Sequence, residues 1–170
     1  MIIGGVAGGA STAARLRRLD EQAEIILFEK GEYISYANCG LPYYIGGVIE
    51  ERERLFVQTP ESFKARFNIE VRIKSEVKAI EPENKQVVIK DWATGKTYRE
   101  SFDKLVLSPG AEPVLPPWEG IRTEGIFTLR NVADTDRIKA WAGRQEVKKA
   151  VVVGAGFIGL EMAENLHELG

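Results

Sequence analysis

Three short stretches of this chain hold residue types that can do chemistry: a glycine turn at residues 4–9, a single cysteine, Cys39, and a second glycine turn at residues 154–159. The second turn reads Gly154-Ala155-Gly156-Phe157-Ile158-Gly159, between an apolar Val151-Val152-Val153 and a helix-forming segment. It fits G-x-G-x-x-G in the strand-turn-helix setting that gives the pattern meaning. The first glycine makes the turn, the second lets backbone approach a pyrophosphate, and the third lets helix and strand pack closely. The helix N-terminus then offers N–H donors and the positive end of its dipole. The acid that would hold a ribose about 20 residues further on falls beyond Gly170. The first turn, Gly4-Gly5-Val6-Ala7-Gly8-Gly9, keeps the first and third glycines but has Val6 at the second. Glu29, at the end of the next strand, stands where a carboxylate on a ribose 2′-hydroxyl is expected. A glycine-rich turn with a solvated glutamate would carry the same pattern.

A lone cysteine is most often a small buried hydrophobe. Cys39 sits instead between Asn38 and Gly40, in a segment punctuated by Pro42, Gly46 and Gly47, directly after the first nucleotide-binding unit. Such a loop can bring a thiol close to a cofactor.

The elements that must position these groups follow from hydropathy and turn signals. Ile2-Ile3 is the end of a strand, Ala10 to Leu19 a helix and Glu24 to Glu29 an apolar strand, which together make a βαβ unit. Residues 31–47 form a loop or helix start. Pro60 to Phe67 reads as a helix with Thr59 as N-cap and Pro60 in its first turn. Strands follow at Glu70 to Ile73, Val77 to Ile80, Gln86 to Lys90 and Thr97 to Ser101, read together as an antiparallel meander. Lys104 to Leu107 is a buried strand, Asn131 to Ala142 a helix, Ala150 to Val153 a strand, and Phe157 to Leu169 a helix. The expected fold is therefore α/β: a Rossmann-like nucleotide-binding domain, with a parallel sheet, helices and an antiparallel meander, followed by the first βα unit of a second such domain. We place the first domain at residues 1–148, with its first strand shortened, and the start of the second, cut after one βα unit, at residues 149–170. The repeated βα glycine unit implies two nucleotide sites.

Composition narrows the classes. With 23 Lys and Arg against 25 Asp and Glu, the net charge of -2 gives no ground for a nucleic-acid or anionic-membrane surface. One cysteine excludes a disulfide scaffold and favours a reducing, cytoplasmic setting. No apolar run approaches the roughly 20 residues of a membrane span, and the N-terminus lacks a signal-peptide pattern. No metal site is assigned.

The segment Ser35-Tyr36-Ala37-Asn38-Cys39-Gly40-Leu41-Pro42-Tyr43 resembles the coenzyme A-disulfide reductase branch of the pyridine nucleotide-disulfide oxidoreductases, a branch that includes the NAD(P)H-dependent persulfide and polysulfide reductases. The likeness extends over Gly4 to Ser11, Thr59-Pro60-Glu61, Leu107 to Ala111, Leu129-Arg130-Asn131 and the second glycine turn. The chain has no second cysteine for the C-x4-C pair of the wider superfamily, which fits the single-cysteine branch. The resemblance implies FAD and NAD(P)H as cofactors, Cys39 cycling between a thiolate and a mixed disulfide or persulfide, and Asn38 beside it in the catalytic turn. It implies FAD contacts from Gly4, Gly5, Val6, Ala7, Gly8, Gly9, Glu29, Lys30, Val77, Ser108, Gly110 and Arg130, besides Asn38 and Cys39. It implies nicotinamide-nucleotide contacts from Gly154, Gly156, Phe157, Ile158, Gly159 and Glu161. Ser11, Arg15, Arg18, Ser35 and Asn38 would line a channel for coenzyme A disulfide or its persulfide. Arg15 and Arg18 share a helix face and can present two cations to phosphates, although Arg17 shows that the helix is basic in any case. A homodimer is implied for the full-length protein. Two other readings stay open: an NADH oxidase or peroxidase whose cysteine cycles through a sulfenic acid, and a non-catalytic flavin-binding module. NADH and NADPH are not distinguished, nor is the acceptor.

Overall fold

The glycine turn at residues 4–9 joins a two-residue strand of a parallel sheet to the longest helix, and the sheet is built around that joint. In the computed structural model, which describes all 170 residues, β1 (Ile2–Ile3) lies between β2 (Ile26–Phe28) and β7 (Val106–Leu107), with β3 (Glu70–Arg72) outside β2. All three pairings are parallel. The chain forms two compact units: residues 1–36 with 56–110, and residues 37–55 with 111–170.

In the first unit the strand period of two sorts side chains onto two faces. Ile2 and Leu27 join Ala10 and Ala13 of α1 (Ala7–Leu19) and Phe63 of α3 (Pro60–Phe67) in one core cluster. Ile26 and Phe28 point the other way, onto Val87 and Ile89. Those two belong to the central strand of a meander, β4 (Ser75–Glu81), β5 (Gln86–Asp91) and β6 (Thr97–Ser101), so the small sheet covers the back of the large one. Val87 and Ile89 are fully buried, each worth roughly 1.5–3 kcal/mol in apolar burial. Arg72 locks the edge strand to the meander. Its guanidinium bonds Glu70 at 2.6 Å, Glu100 at 2.5 Å and Tyr98 at 3.2 Å, and lies over the Phe28 ring. Burial works against its charge, but the two carboxylates and the tyrosine more than offset it and hold it protonated.

The second unit is helical. A 3-10 turn (Asn38–Gly40) runs into the short α2 (Leu41–Ile45), a second 3-10 turn covers Arg52–Leu55, and α4 (Val132–Ala142) and α5 (Phe157–Glu168) complete it. Asn131 caps α4 in a reciprocal pair with Asp134. Leu41, Ile45, Leu55, Val132 and Met162 are buried. No helix is long and apolar enough to cross a membrane.

Several expectations hold. Thr59 accepts from the Ser62 amide and caps the start of α3, which runs over the expected residues and ends at a left-handed Asn68. Four are corrected. Lys104 to Leu107 is not a buried strand: only Val106–Leu107 pair, and Leu107 is 59% exposed. Glu70–Arg72 is not part of the meander but a parallel partner of β2. α1 starts at Ala7, inside the glycine turn, and not at Ala10. Ala150 to Val153 forms no strand: Val151 and Val153 are 87% and 77% exposed and pair with no neighbour. A strand exists as a member of a sheet, and these valines have no ladder to join.

Candidate nucleotide turns and thiol segment

The turn between β1 and α1 depends on two missing side chains. Gly4 adopts φ +95°, and a Cβ there would stand 1.9 Å from the Ser108 carbonyl oxygen. A Cβ at Gly9 would stand 1.7 Å from the Gly4 carbonyl oxygen. The backbone therefore folds back on itself more tightly than any other residue allows. Val6, at the position where the motif asks for glycine, has φ -93° and no such need. It is the N-cap of α1 and supplies no side-chain acceptor, so the first-turn N–H groups of a 13-residue helix are left without a side-chain cap. Ala7 and Gly8 there are exposed.

Glu29 closes on this turn. Its Oε2 accepts from the Gly5 amide at 2.8 Å and its Oε1 from the Gly31 amide at 2.8 Å. The residue is only 9% exposed. Each carboxylate oxygen keeps acceptor capacity beyond the bond it makes. The carboxylate that spacing placed near the turn is thus in contact with it. The Ser35 amide donates to the Gly5 carbonyl at 2.9 Å, with Ser35 itself at φ +46°. The Ser108 side chain flanks Gly8. Ser75 at the head of β4 donates to the Glu29 carbonyl, which brings Val77, at a bulge two residues on, to the same end of the sheet. Lys30 is exposed beside Glu29, and Gly110 has φ +72°.

On α1, Ser11, Arg15 and Arg18 are exposed. Arg17 is different, and the sequence reading missed it. Its guanidinium donates to the carbonyls of Phe67 at 2.8 Å, Glu21 at 2.7 Å, Asn68 at 2.9 Å and Asp20 at 3.3 Å. It ties the ends of α1 and α3 together, so it is a structural arginine and not part of a general basic face.

In the second unit Cys39 is a free, exposed thiol. It sits in the 3-10 turn, where the Gly40 amide donates to the Ala37 carbonyl and Leu41 to the Asn38 carbonyl. Asn38 is exposed. Arg130 donates through Nε to the Ala111 carbonyl, and its amide donates to Asp134. The second glycine turn repeats the first: Gly154 has φ +109°, and a Cβ on Gly159 would stand 2.0 Å from the Gly154 carbonyl oxygen. Gly156 is the N-cap of α5, again without a side-chain acceptor. Phe157 is 88% exposed, Ile158 exposed and Glu161 half-buried.

Sequence reasoning also missed a junction around α2. Lys139 donates to the Tyr44 carbonyl, and a Cβ on Gly46 would stand 2.5 Å from Asn165 Oδ1. Asn165 is fully buried and donates to the Glu161 carbonyl at 2.8 Å. A polar residue inside the apolar stripe of α5, between Met162 and Leu166, was the one available signal.

A parallel βαβ sheet with a helix N-terminus opened by a glycine turn, and a carboxylate on that turn, defines a dinucleotide-binding fold. The whole chain, residues 1–170, matches the family model described as pyridine nucleotide-disulphide oxidoreductase, and the chain belongs to that family. It is 45% identical over 170 residues to the coenzyme A disulfide reductase of Staphylococcus aureus, covering all of this chain and 38% of that protein. The crystal structure of reduced Bacillus anthracis CoADR-RHD matches with a TM-score of 0.96 and 58% identity, over 98% of this chain and 30% of that one. A NAD-dependent persulfide reductase from A. fulgidus matches with a TM-score of 0.93 and 40% identity, over 99% of this chain and 32% of that one. The chain thus spans well under half the length of these relatives.

Proposed function

We propose that the full-length protein is an FAD-dependent enzyme that uses NAD(P)H to reduce coenzyme A disulfide or a coenzyme A persulfide, with Cys39 as its redox sulfur. The observation that carries this reading is the solitary, exposed Cys39 in a turn whose residues resemble those of coenzyme A-disulfide reductases. The residues of the first turn fit FAD. Glycine at positions 4 and 9 lets the turn close tightly, the uncapped start of α1 suits a pyrophosphate, and Glu29 has acceptor capacity for a ribose hydroxyl. FAD, when bound, supplies a two-electron relay between nicotinamide and sulfur.

The chain's own residues supply the rest. The Cys39 thiolate attacks one sulfur of coenzyme A disulfide, forms a mixed disulfide and releases one coenzyme A thiolate. Two electrons then cleave the mixed disulfide, restore the Cys39 thiolate and release the second. The balance is one NAD(P)H and one proton consumed for two coenzyme A thiols. Asn38 flanks the thiol in its turn. Exposed Arg15 and Arg18 hold the phosphates of the substrate, and Ser11 and Ser35 add polar contacts to it. Lys30, Val77, Ser108, Gly110 and Arg130 complete the FAD contacts. Residues 149–170 open the nicotinamide-binding unit, where Gly154, Gly156 and Gly159 receive the pyrophosphate and Phe157 and Glu161 face the nicotinamide. The enzyme acts as a cytoplasmic homodimer.

The test is a substrate panel on the purified full-length protein. NAD(P)H oxidation without oxygen, yielding two thiols per nucleotide from coenzyme A disulfide or one sulfide per nucleotide from the persulfide, supports the reading. Oxidation that needs oxygen and forms water assigns the sulfenic-acid chemistry of an oxidase instead. No turnover with any acceptor leaves a flavin-binding module.

A further inference from the structure

The segment that carries Cys39 has little local structure of its own. It consists of a three-residue 3-10 turn, a five-residue α2, the glycine pair Gly46-Gly47 and a second 3-10 turn. A helix of five residues does not persist in water on its own hydrogen bonds. Leu41, Pro42, Ile45 and Leu55 are buried and hold the segment down. Apolar burial is non-directional, so it leaves the orientation of the turn to be set by polar contacts.

Two of those contacts are backbone bonds within the segment, from the Ala37 amide to the Leu55 carbonyl at 2.8 Å and from the Ile49 amide to the Tyr43 carbonyl at 3.1 Å, and the side-chain contacts come from one face of α4. Asp136 and Lys139 are three residues apart on that helix and so share a face. Lys139 Nζ donates to the Tyr44 carbonyl at the C-terminal end of α2 and lies 4.3 Å from the centre of the Tyr44 ring. It reaches the Ile45 carbonyl at 3.5 Å. The Tyr44 carbonyl also accepts from the Gly47 amide at 3.3 Å, so the cation adds a charged donor at the C-terminal end of α2. Asp136 takes a two-pronged bond from Arg52, with Nε at 2.9 Å and Nη2 at 2.7 Å. Arg52 opens the second 3-10 turn, so α4 grips the segment both at the end of α2 and at its return limb. The fork-to-carboxylate geometry fixes direction as well as distance. The same end of α2 also meets α5, where Gly46 abuts Asn165 with no room for a side chain.

We propose that Lys139 and Asp136 are positioning residues for the thiol chemistry, holding the Cys39 turn in one orientation from α4. This rests on the assignment of Cys39 as the redox sulfur. Neither residue touches the thiol. They act through α2 and Arg52, and a shift of about 1 Å in a reacting group can cost on the order of a hundredfold in rate.

The experiment uses the full-length protein with Lys139→Met, which keeps the apolar stem, Lys139→Arg, which keeps the charge and the donors, and Asp136→Asn. Stopped-flow absorbance separates flavin reduction by NAD(P)H from flavin reoxidation by coenzyme A disulfide. Lys139→Met slows reoxidation about 10- to 100-fold, leaves flavin reduction at the wild-type rate, and is rescued by Lys139→Arg. Asp136→Asn shows the same split with a smaller loss. Hydrogen exchange read by mass spectrometry gives a second readout that needs no turnover. In Lys139→Met the amides of residues 41–47 exchange about tenfold faster, as expected for a local opening, while those of β4 to β6 are unchanged. Equal slowing of both half-reactions, or unchanged exchange in residues 41–47, overturns the proposal. Should the wild-type enzyme fail to reduce the disulfide, the functional reading falls, and the exchange data alone decide whether Lys139 holds the segment.

Discussion

Replacing Glu29 separates the bracing of the glycine turn, seen in the structure, from the ribose contact proposed for the same side chain. Its carboxylate accepts from the buried Gly5 amide and from the half-buried Gly31 amide, both at 2.8 Å. In Glu29→Ala both donors lose a charged acceptor. Bonds to charged groups are worth about 1.5–3 kcal/mol, and a buried donor left unpaired carries its full desolvation cost. The buried Gly5 amide takes the upper part of that range, while the half-buried Gly31 amide can rehydrate and loses only about 1 kcal/mol. The variant should therefore lose about 3–4 kcal/mol of stability before any flavin is considered. Glu29→Gln keeps one carbonyl acceptor and should lose about half as much. With a denaturant slope of about 2 kcal/mol per molar urea, the midpoints fall by about 1.5–2 M and about 0.7–1 M. The assay is urea unfolding of flavin-stripped full-length protein, followed through fluorescence changes assigned to Trp92, which belongs to the same unit as Glu29. Glu29→Gln, which leaves most of the fold in place, then reports the ribose contact: FAD should bind about tenfold more weakly or worse, the equivalent of one charged hydrogen bond. Flavin-free Glu29→Ala unfolding at the wild-type urea concentration would refute the reasoning.

Two further substitutions test the first turn and the first helix. Gly9→Ala places a methyl 1.7 Å from the Gly4 carbonyl oxygen, so α1 must shift and the variant should purify without FAD and melt at lower temperature; full flavin occupancy at an unchanged Tm would contradict this. Arg17→Ala should lower Tm and leave the KM for coenzyme A disulfide unchanged, because Arg17 bonds only backbone carbonyls. Arg15→Ala with Arg18→Ala should do the reverse, raising that KM more than about tenfold at unchanged Tm; the opposite assignment would show that the exposed pair is structural.

What could be read from the sequence divides along a physical line. α3 was legible to the residue because Thr59 and Pro60 are local signals that act on the backbone beside them. The first glycine turn and Glu29 were legible because the βαβ unit fixes the distance between them. β3 reads as part of the meander, and pairs with β2 instead, because a three-residue strand carries no mark of whether its partner runs parallel. The strand expected at Ala150 to Val153 failed for a related reason, since apolar residues propose a strand and only a neighbour completes it. Arg17 and Lys139 act on backbone carbonyls remote in sequence, 50 and 95 residues away. Side-chain type gives no hint of such targets, because every residue offers the same carbonyl. Asp136 and Arg52 are one ordinary acid and one ordinary base among many until the fold joins them.

The central claim is that electrons leave this protein through Cys39, and single-turnover kinetics of Cys39→Ser in the full-length enzyme test it most directly. Under anaerobic conditions the variant should still lose its flavin absorbance on mixing with NAD(P)H, because that step does not use the thiol. On mixing with coenzyme A disulfide or persulfide the reduced flavin should then stay reduced, because serine cannot form the mixed disulfide. Reoxidation by coenzyme A disulfide at the wild-type rate in Cys39→Ser would contradict the account.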